Sequence, residues 1–398
     1  AAAALLDPGQ TPAARAAADA WLQRWQRSRA AWVEAPPAVA TAESAGSAGT
    51  RLLAAQALRG KVLLDLDEVQ SSEEDALRQR LLGLCEQLAR ELPRPRAVLV
   101  QCAVSIADLA LQRGWPDLVA GLAAHWSGDA AGRAALLEVC IALAEERTHP
   151  LLAAVTTMAD GRGCQDELFR TGAQTVAALL SGLGPGDVAE GRRGCSDLQL
   201  VALRCTRCWM QWLPPPSAAW VDNVARLMVS AAGDAVGDEA ADALIEAVRA
   251  GSELVDSHGR LPENVCAAIA QLAVGTVGPD GAARVLRVAA EAVDTMLGSI
   301  VPALRAGDLQ ADQLLRALAA CSPSDPGNAA YFFNALAAAV LEQAPRGGSA
   351  SRGCSVGAFT DLLRAAVQAL KNEDADMPDD QLLDLCFVAT RGLGEAFA

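Results

Sequence analysis

The sequence has few aromatic side chains, few histidines and almost no lysine, and it lacks any pattern typical of a β-strand. Aromatic residues make up 4% of the 398 positions, and three histidines, His125, His149 and His258, lie far apart without a ligand or base partner at helical spacing. Nowhere do β-branched residues alternate with polar ones, as in a half-buried strand. The dominant residues are Ala and Leu, which favour helices. The sequence therefore predicts an all-α chain.

Motifs of known chemistry are absent as well. The sequence contains no nucleophile elbow, no glycine-rich phosphate loop and no zinc-protease histidine pair. Nor do a nucleophile, a base and an orienting group occur in an arrangement typical of a catalytic site. We therefore expect a protein that is not an enzyme and has no catalytic residue, cofactor or metal. Membrane insertion is not expected either, since no apolar run reaches the about 20 residues of a spanning helix.

The cysteines are numerous but do not form a recognisable framework. There are eleven, without a secretory signal peptide, which favours reduced thiols in the cytosol or nucleus. Cys205 and Cys208 have the CxxC spacing of zinc and redox sites. At helical spacing, however, both fall on one apolar stripe with Val201, Trp209 and Trp212, and neither a second CxxC nor a nearby His completes four ligands. The pattern favours core packing, with a zinc or redox site as the alternative.

The net charge of −15 is unevenly distributed. Basic and acidic side chains balance over the first 100 residues, and the remainder of the chain carries the whole acidic excess. Phosphates would be repelled by such a body, which argues against nucleic acid as a direct ligand. The charge is compatible with basic protein partners. It is equally compatible with an acidic surface that only keeps an apolar chain in solution.

The most informative stretch is the segment from Arg96 to Gln112, which no Pro or Gly interrupts. Its internal polar residues fall on one narrow stripe of a helix, and the rest of the circumference is apolar. These polar residues are Gln101, Ser105, Asp108 and Gln112. We expect this helix to be packed between others and to end at Gly114 in a left-handed conformation. A second helix with one apolar face, ending at Trp126, should complete a hairpin that needs neighbours on both sides.

Helical hairpins of this kind recur along the chain. They begin near residues 12, 50, 95, 133, 196 and 236, and the spacing of roughly 40 residues is typical of HEAT or armadillo repeats. The predicted fold is a right-handed α-solenoid of HEAT-like helical hairpins. Repeats cover 1–148, an insert or loop covers 149–163, and further repeats of the same solenoid cover 164–398. Locally, Pro36-Pro37 should end the helix that contains Trp32, and a capping box of Ser72 and Asp75 should begin a later one.

Four segments, in order and at matching spacing, carry a resemblance to a known family. They are AWLQRWQRSRAAW (Ala20–Trp32), AAQALRGKVLLDLDEV (Ala54–Val69), VLVQCAVSIADLALQRGWPDLV (Val98–Val119) and LRCTRCWMQWL (Leu203–Leu213). They resemble importin-β-type nuclear transport receptors, and in particular the transportin-SR branch. The resemblance is strongest from about 12 to 148 and weaker from 164 to 231.

The resemblance implies a function that composition and spacing alone do not. In that family the N-terminal repeats bind the GTP form of the small GTPase Ran, and cargo lies in the concave arch until Ran-GTP releases it. The implied partners are therefore Ran-GTP, protein cargo rich in Arg and Ser, and nucleoporins. A monomer shuttling between cytoplasm and nucleus is expected. Family members are usually much longer, so the chain is expected to lack the C-terminal arch. The alternative is a generic HEAT-repeat scaffold outside nuclear transport.

Nine residues are candidates for partner contact, in three groups. Trp32, Trp115 and Trp126 belong to the early hairpins, where core packing is the alternative to exposure as interface anchors. Asp65, Asp67 and Glu68 follow a predicted helix end and could be either solvated turn residues or contacts for a basic partner. Asp374, Asp376 and Asp379 form an acidic cluster around Pro378, where helix capping is the alternative to a partner-facing loop.

Overall fold

Helices account for every regular element that the structure describes. This computed structural model describes residues 9–41, 47–91, 96–147, 149–150, 161–182, 195–214, 217–230, 235–253, 278–305, 309–342 and 386–391, with the isolated positions 265, 268, 269, 272 and 364. No strand occurs within these ranges. The prediction of an all-α fold is confirmed for this part of the chain.

The chain divides into two compact units, residues 1–214 and 215–398. The helices of the first unit are α1 (Pro12–Gln26), α2 (Ala30–Ala40), α3 (Ser47–Leu64), α4 (Ser71–Arg90), α5 (Arg96–Arg113), α6 (Leu118–Trp126), α7 (Ala130–Glu146), α8 (Gly161–Gly182) and α9 (Cys195–Trp209). A short 3₁₀ turn, Leu66–Glu68, follows α3. The helices of the second unit are α10 (Ala218–Ser230), α11 (Ala235–Glu253), α12 (Pro279–Glu291), α13 (Val293–Arg305), α14 (Leu309–Cys321) and α15 (Pro326–Glu342), with a 3₁₀ turn, Ser322–Ser324, before α15.

Helix α5 is buried on almost its whole circumference, as its sequence predicts. Every side chain from Cys102 to Leu111 is buried, including those of the polar Ser105 and Asp108. Helices α3, α4 and α7 pack around it. The helix ends where Gly114 adopts a φ of 71°, and the Gly114 N–H donates to the Ala110 carbonyl at 3.0 Å. A positive φ at this position costs glycine little.

The helices of the first unit are arranged in consecutive pairs. The packed pairs are α2 with α3, α4 with α5, α6 with α7, and α8 with α9. The second helices of these pairs, α3, α5, α7 and α9, also pack one against the next in that order. This pairing differs from the expected hairpin of α5 with α6. Helix α6 packs against α7 and α8 instead, because its apolar face lies against these two helices. This face is formed by Leu118, Val119, Leu122 and Trp126.

Helix α2 continues through Pro36 and Pro37, so the expected break at these residues is wrong. A proline inside a helix costs about 3 kcal/mol because it removes a hydrogen bond and crowds the preceding turn. The packing of α2 against α3 offsets this cost, since Ala31, Ala35 and Val39 are fully buried. The helix ends at Ala40, where the Thr41 N–H donates to the Pro37 carbonyl at 3.1 Å.

Helix α4 begins at Ser71, and its capping residues are not the expected ones. The N-cap is Gln70, whose backbone N–H donates to the carboxylate of Glu73 at 3.3 Å. The box expected from Ser72 and Asp75 therefore lies inside the helix. The helix therefore begins two residues earlier than expected. The preceding 3₁₀ turn is closed by Val69, whose N–H donates to the Leu66 carbonyl, so the chain is free to begin a helix directly after Gln70.

In the second unit, α12 is the central helix. It packs against α10, α11, α13, α14 and α15, and it buries Val285, Leu286, Val288 and Ala289 completely. Arg284 is also buried, at 6% exposure. No described helix of either unit combines the length and the hydropathy that crossing a bilayer requires.

Candidate partner-binding surface

The turn after α3 is organised by Lys61, a buried lysine at 1% exposure. Its Nζ lies 2.9 Å from the carboxylates of both Asp65 and Glu68 and 3.4 Å from the Arg27 carbonyl. Burial disfavours the charge of Lys61, but the hydrogen bonds to Glu68 and Asp65 outweigh it, so the pKa of Lys61 is raised. The hydrogen bond from Lys61 in turn lowers the pKa of Glu68. The turn is thus held in place by a lysine beneath it.

Trp32 belongs to the core of this region. Its side chain is 9% exposed, and its indole N–H donates to Glu68 at 3.1 Å. An indole in the core needs a partner for its N–H, and Glu68 supplies it. Trp32 therefore links α2 to the turn after α3, and its ring is not presented to a partner.

Asp67 is the fully exposed member of the acidic turn. Its side chain is 100% exposed and accepts a hydrogen bond from Arg113 at 3.1 Å. Arg113 also donates to the Leu66 carbonyl at 3.3 Å, which ties the end of α5 to the turn. A salt bridge with so exposed a carboxylate stabilises the fold little. Asp67 thus presents its charge to solvent, and Asp65 and Glu68 lie half-exposed beside it.

The other two tryptophans lie in different environments. Trp115 is half-buried, and the Arg78 guanidinium covers its ring at 4.7 Å from the ring centroid. Trp126 is buried at 6% exposure, and α7 begins directly against it. A Cβ added at Gly132 would collide with the Trp126 carbonyl oxygen, so a glycine allows this close approach. The acidic residues Asp374, Asp376 and Asp379 lie outside the described residues.

The two cysteines of the CxxC pair are buried to different degrees. Cys205 is fully buried, and its thiol hydrogen-bonds with that of Cys140, an interaction that, together with burial, raises the pKa of Cys205. Cys208 is half-buried and packs against the edge of the core, with its Sγ 3.9 Å from Glu145. The described residues contain no group of three or more metal-ligating side chains.

A cleft lined in part by aromatic residues opens beside α8, at a place that no sequence motif indicated. The ring centroid of Phe169 lies 4.5 Å from that of Trp212 and 5.1 Å from that of Trp209. The Arg147 guanidinium covers both Phe169 and Trp212, at 4.9 Å and 5.1 Å. The cleft has a volume of about 560 Å³, and Arg170, Gln174, Gln211 and Pro214 line its edge. Its lining residues come from two segments, 166–174 and 211–214, which are distant in the sequence, so no local pattern indicated the cleft.

Charged side chains also bridge the helices that pack in a row. Arg96 of α5 donates to Glu138 of α7 at 3.1 Å, and Arg204 of α9 donates to Glu145 at 2.6 Å. Burial raises the pKa of Glu138, although the nearby Arg96 and Arg204 oppose this effect. These links run between α5, α7 and α9 and accompany their apolar packing. Sequence reasoning missed them because the partners are distant in the chain.

Comparisons with known proteins identify no family. No protein-family model and no curated protein matches the chain. Among solved structures, the crystal structure of an engineered protein matches 92% of this chain and 99% of its own at 15% identity, with a TM-score of 0.27. A score this low carries no argument about fold or function.

Proposed function

We propose that the protein is an importin-β-type nuclear transport receptor, built as a right-handed solenoid of HEAT-like hairpins, whose repeats over residues 12–148 bind the GTP form of Ran. Ran in its GTP state differs in shape from the GDP state, so a preformed surface can select one of them. Cargo proteins and nucleoporins are the further partners, and the receptor shuttles between cytoplasm and nucleus. No catalysis is required for this role.

The observation that carries the proposal is the packing of the segments that resemble the family. The segment containing Trp32 meets the segment containing Glu68 through their hydrogen bond. The segment that forms α5 meets the same turn region through Gln112, which donates to the Val62 carbonyl at 3.0 Å. Three of the four segments that resemble the family are therefore neighbours in space. The row of α3, α5, α7 and α9 is the arrangement that stacked repeats require.

The acidic turn is the part of this region best suited to a basic partner surface. Trp32 and Trp126 are buried, so the contact is assigned to charge rather than to tryptophan anchors. Asp67 is exposed and fixed by Arg113, and such a preformed charge loses little conformational entropy on binding. Exposed interfacial charges act mainly on the association rate. We therefore assign Asp67 a role in the rate of Ran association.

The remaining partners are assigned to other parts of the chain. Nucleoporin contact is assigned to the aromatic cleft beside α8, because concave sites lined by Trp and Arg supply much of the binding energy of protein interfaces. Arg/Ser-rich cargo is assigned to the acidic remainder of the chain, including Asp374, Asp376 and Asp379. Changing these three residues to Asn should slow association with an Arg-rich cargo peptide and reduce its salt dependence.

The proposal is tested by binding of the full chain to Ran loaded with GTP or GDP. We expect clear selectivity for the GTP state, measured by surface-based association kinetics at two salt concentrations. Asp67→Asn should slow association with Ran-GTP several-fold at low salt. Asp280→Asn is the matched control, since Asp280 is also an exposed aspartate but lies in the second unit. Equal binding of both nucleotide states, or no binding, would leave a generic helical-repeat scaffold.

A further inference from the structure

Three charged side chains meet where α3, α5 and α7 pack together. Asp108 of α5 is fully buried, and one of its carboxylate oxygens, Oδ2, lies 3.4 Å from Nε of Arg59 on α3. The same guanidinium, through Nη2, lies 2.9 Å from Oε1 of Glu146 on α7. The side chain of Glu146 is 13% exposed and that of Arg59 is 27% exposed. A single guanidinium therefore serves two carboxylates.

The charges and hydrogen bonds of this cluster do not balance as three ionised groups. Two carboxylates and one guanidinium leave an excess negative charge in a largely buried site. The second oxygen of each carboxylate, Oδ1 of Asp108 and Oε2 of Glu146, is buried and without a hydrogen-bond partner. An unpaired buried charge is costly, and two carboxylates that share a site do not both ionise readily.

Within the described part of the chain, the other helices around α5 place no charged group beside Asp108. Helix α4 contributes Cys85, whose thiol hydrogen-bonds with Cys102 of α5. Helix α8 contributes the amide of Gln165, which donates to the Leu111 carbonyl at 3.2 Å. Within the described residues, the charged groups that face Asp108 are therefore Arg59 from α3 and Glu146 from α7.

We infer that Asp108 binds a proton beneath Arg59 and beside Glu146, and that release of this proton as the pH rises loosens the packing of α5 against α3 and α7. With this proton bound, the two carboxyl groups and the guanidinium of Arg59 carry no net charge. The site is a pH-sensitive joint within the row of helices in the first unit. It is independent of the partner proposed above.

The titration of Asp108 agrees with this geometry and fixes the pH range. Burial, followed by the charge of Glu146, raises the pKa of Asp108 from 3.8 to about 7, although Arg59 opposes the rise. Because the folded-state pKa lies above the unfolded one, the folded state binds the extra proton between these values. The stability of the region is therefore highest at low pH with respect to this group. This contribution to stability is lost as the pH rises through the folded-state pKa, and the stability does not change further at higher pH.

The test measures hydrogen exchange by mass spectrometry on peptides from α5 of the full chain, corrected for the intrinsic pH dependence of exchange. In the wild type, the protection factor should fall by up to about tenfold per pH unit between about pH 5 and about pH 7 and then level off, since one proton is released. Asp108→Asn mimics the neutral carboxyl and should remove this slope. Asp75→Asn, at a carboxylate that is 90% exposed on α4, is the matched control and should keep it.

A second variant and an infrared measurement test the same inference independently of Asp108→Asn. Glu146→Gln removes the second cause of the raised pKa of Asp108 but not burial, so it should move the slope to lower pH, whether or not Asp108→Asn folds. The infrared spectrum of the wild type at about pH 6 should contain a protonated-carboxyl band that disappears by about pH 8. A flat pH profile of the wild-type α5 peptides, or a slope that both neutral variants retain unchanged, would overturn the inference.

Discussion

The central helices of the two units, α5 and α12, each bury a charged side chain but satisfy it differently. Asp108 of α5 shares one guanidinium with a second carboxylate, and an oxygen of each acid lacks a partner. Arg284 of α12 lies 2.8 Å from Asp238, whose side chain is 61% exposed, and donates to the Met228 carbonyl at 3.1 Å. The cluster in α5 therefore has an excess negative charge inside the protein, whereas the buried Arg284 is paired with a largely exposed carboxylate. We therefore expect α5, but not α12, to respond to pH, because the buried cluster of α5 contains carboxyl groups whereas the guanidinium of Arg284 stays charged.

The largest effects should come from apolar side chains, and they should be alike in the two helices. Leu109 in α5 and Leu286 in α12 are both fully buried. Changing either one to Ala should lower the free energy of unfolding of its own unit by about 3 to 4 kcal/mol, since a cavity adds to the lost apolar burial. Urea unfolding followed by circular dichroism measures the change. Leu64→Ala is the control, because Leu64 is 68% exposed and should change the free energy by under about 0.5 kcal/mol.

Removal of the buried arginine should have a smaller but clear effect. Arg284→Met keeps the apolar length of the side chain and leaves the buried Met228 carbonyl without this donor. We expect a loss of about 2 to 3 kcal/mol in the free energy of unfolding of the second unit, since an unsatisfied buried group costs about 1 to 3 kcal/mol and the exposed Asp238 remains solvated. Arg249→Met, at a largely exposed ion pair with Glu291, should cost much less. Equal losses for the two variants would mean that the buried Arg284 stabilises the second unit no more than the exposed Arg249 does.

The pH response should separate the two helices. The stability of the region around α5 should fall by up to about 1.4 kcal/mol per pH unit between about pH 5 and about pH 7. The direction follows from the pKa of Asp108, which is raised to about 7 by burial and Glu146. Peptides from α12 should show no such slope, because the described residues place no buried carboxylate beside Arg284. Hydrogen exchange measured on both helices in one experiment allows α12 to serve as an internal control for α5.

The smallest expected effect concerns the end of α5. Gly114→Ala should lower the free energy of unfolding by about 1 kcal/mol, because the φ of 71° is unfavourable for a residue with a Cβ. Gly121→Ala is the control, since Gly121 lies inside α6 with open space around its Cβ position and alanine favours a helix. Thermal unfolding followed by circular dichroism distinguishes the two. A Gly114 variant as stable as the wild type would mean that the turn relaxes without cost.

The candidate surface was predicted only in part, and its residues show why. The three acids after α3 are visible as a local cluster, but their separate roles are not. Lys61 binds two of them from below, whereas Asp67 stays exposed. The tryptophans at 32 and 126 could be read as core or as interface, and burial in the structure decides for core. The aromatic cleft joins Arg147, Phe169 and Trp212, which no short sequence window contains.

By itself, the sequence determined the features that depend on neighbouring residues. The all-α class follows from Ala and Leu without strand patterns, the burial of α5 follows from its narrow polar stripe, and the end of α5 follows from Gly114. The tertiary structure decided the features that depend on what packs across the chain. Packing against α3 keeps α2 helical through two prolines, and α6 pairs with α7 rather than with α5. The raised pKa of Asp108 likewise comes from burial and from the charge of Glu146, against the opposing charge of Arg59, and both residues lie at least 38 positions away in the sequence. Such contacts form only once the helices are assembled, and they outweigh the local preferences.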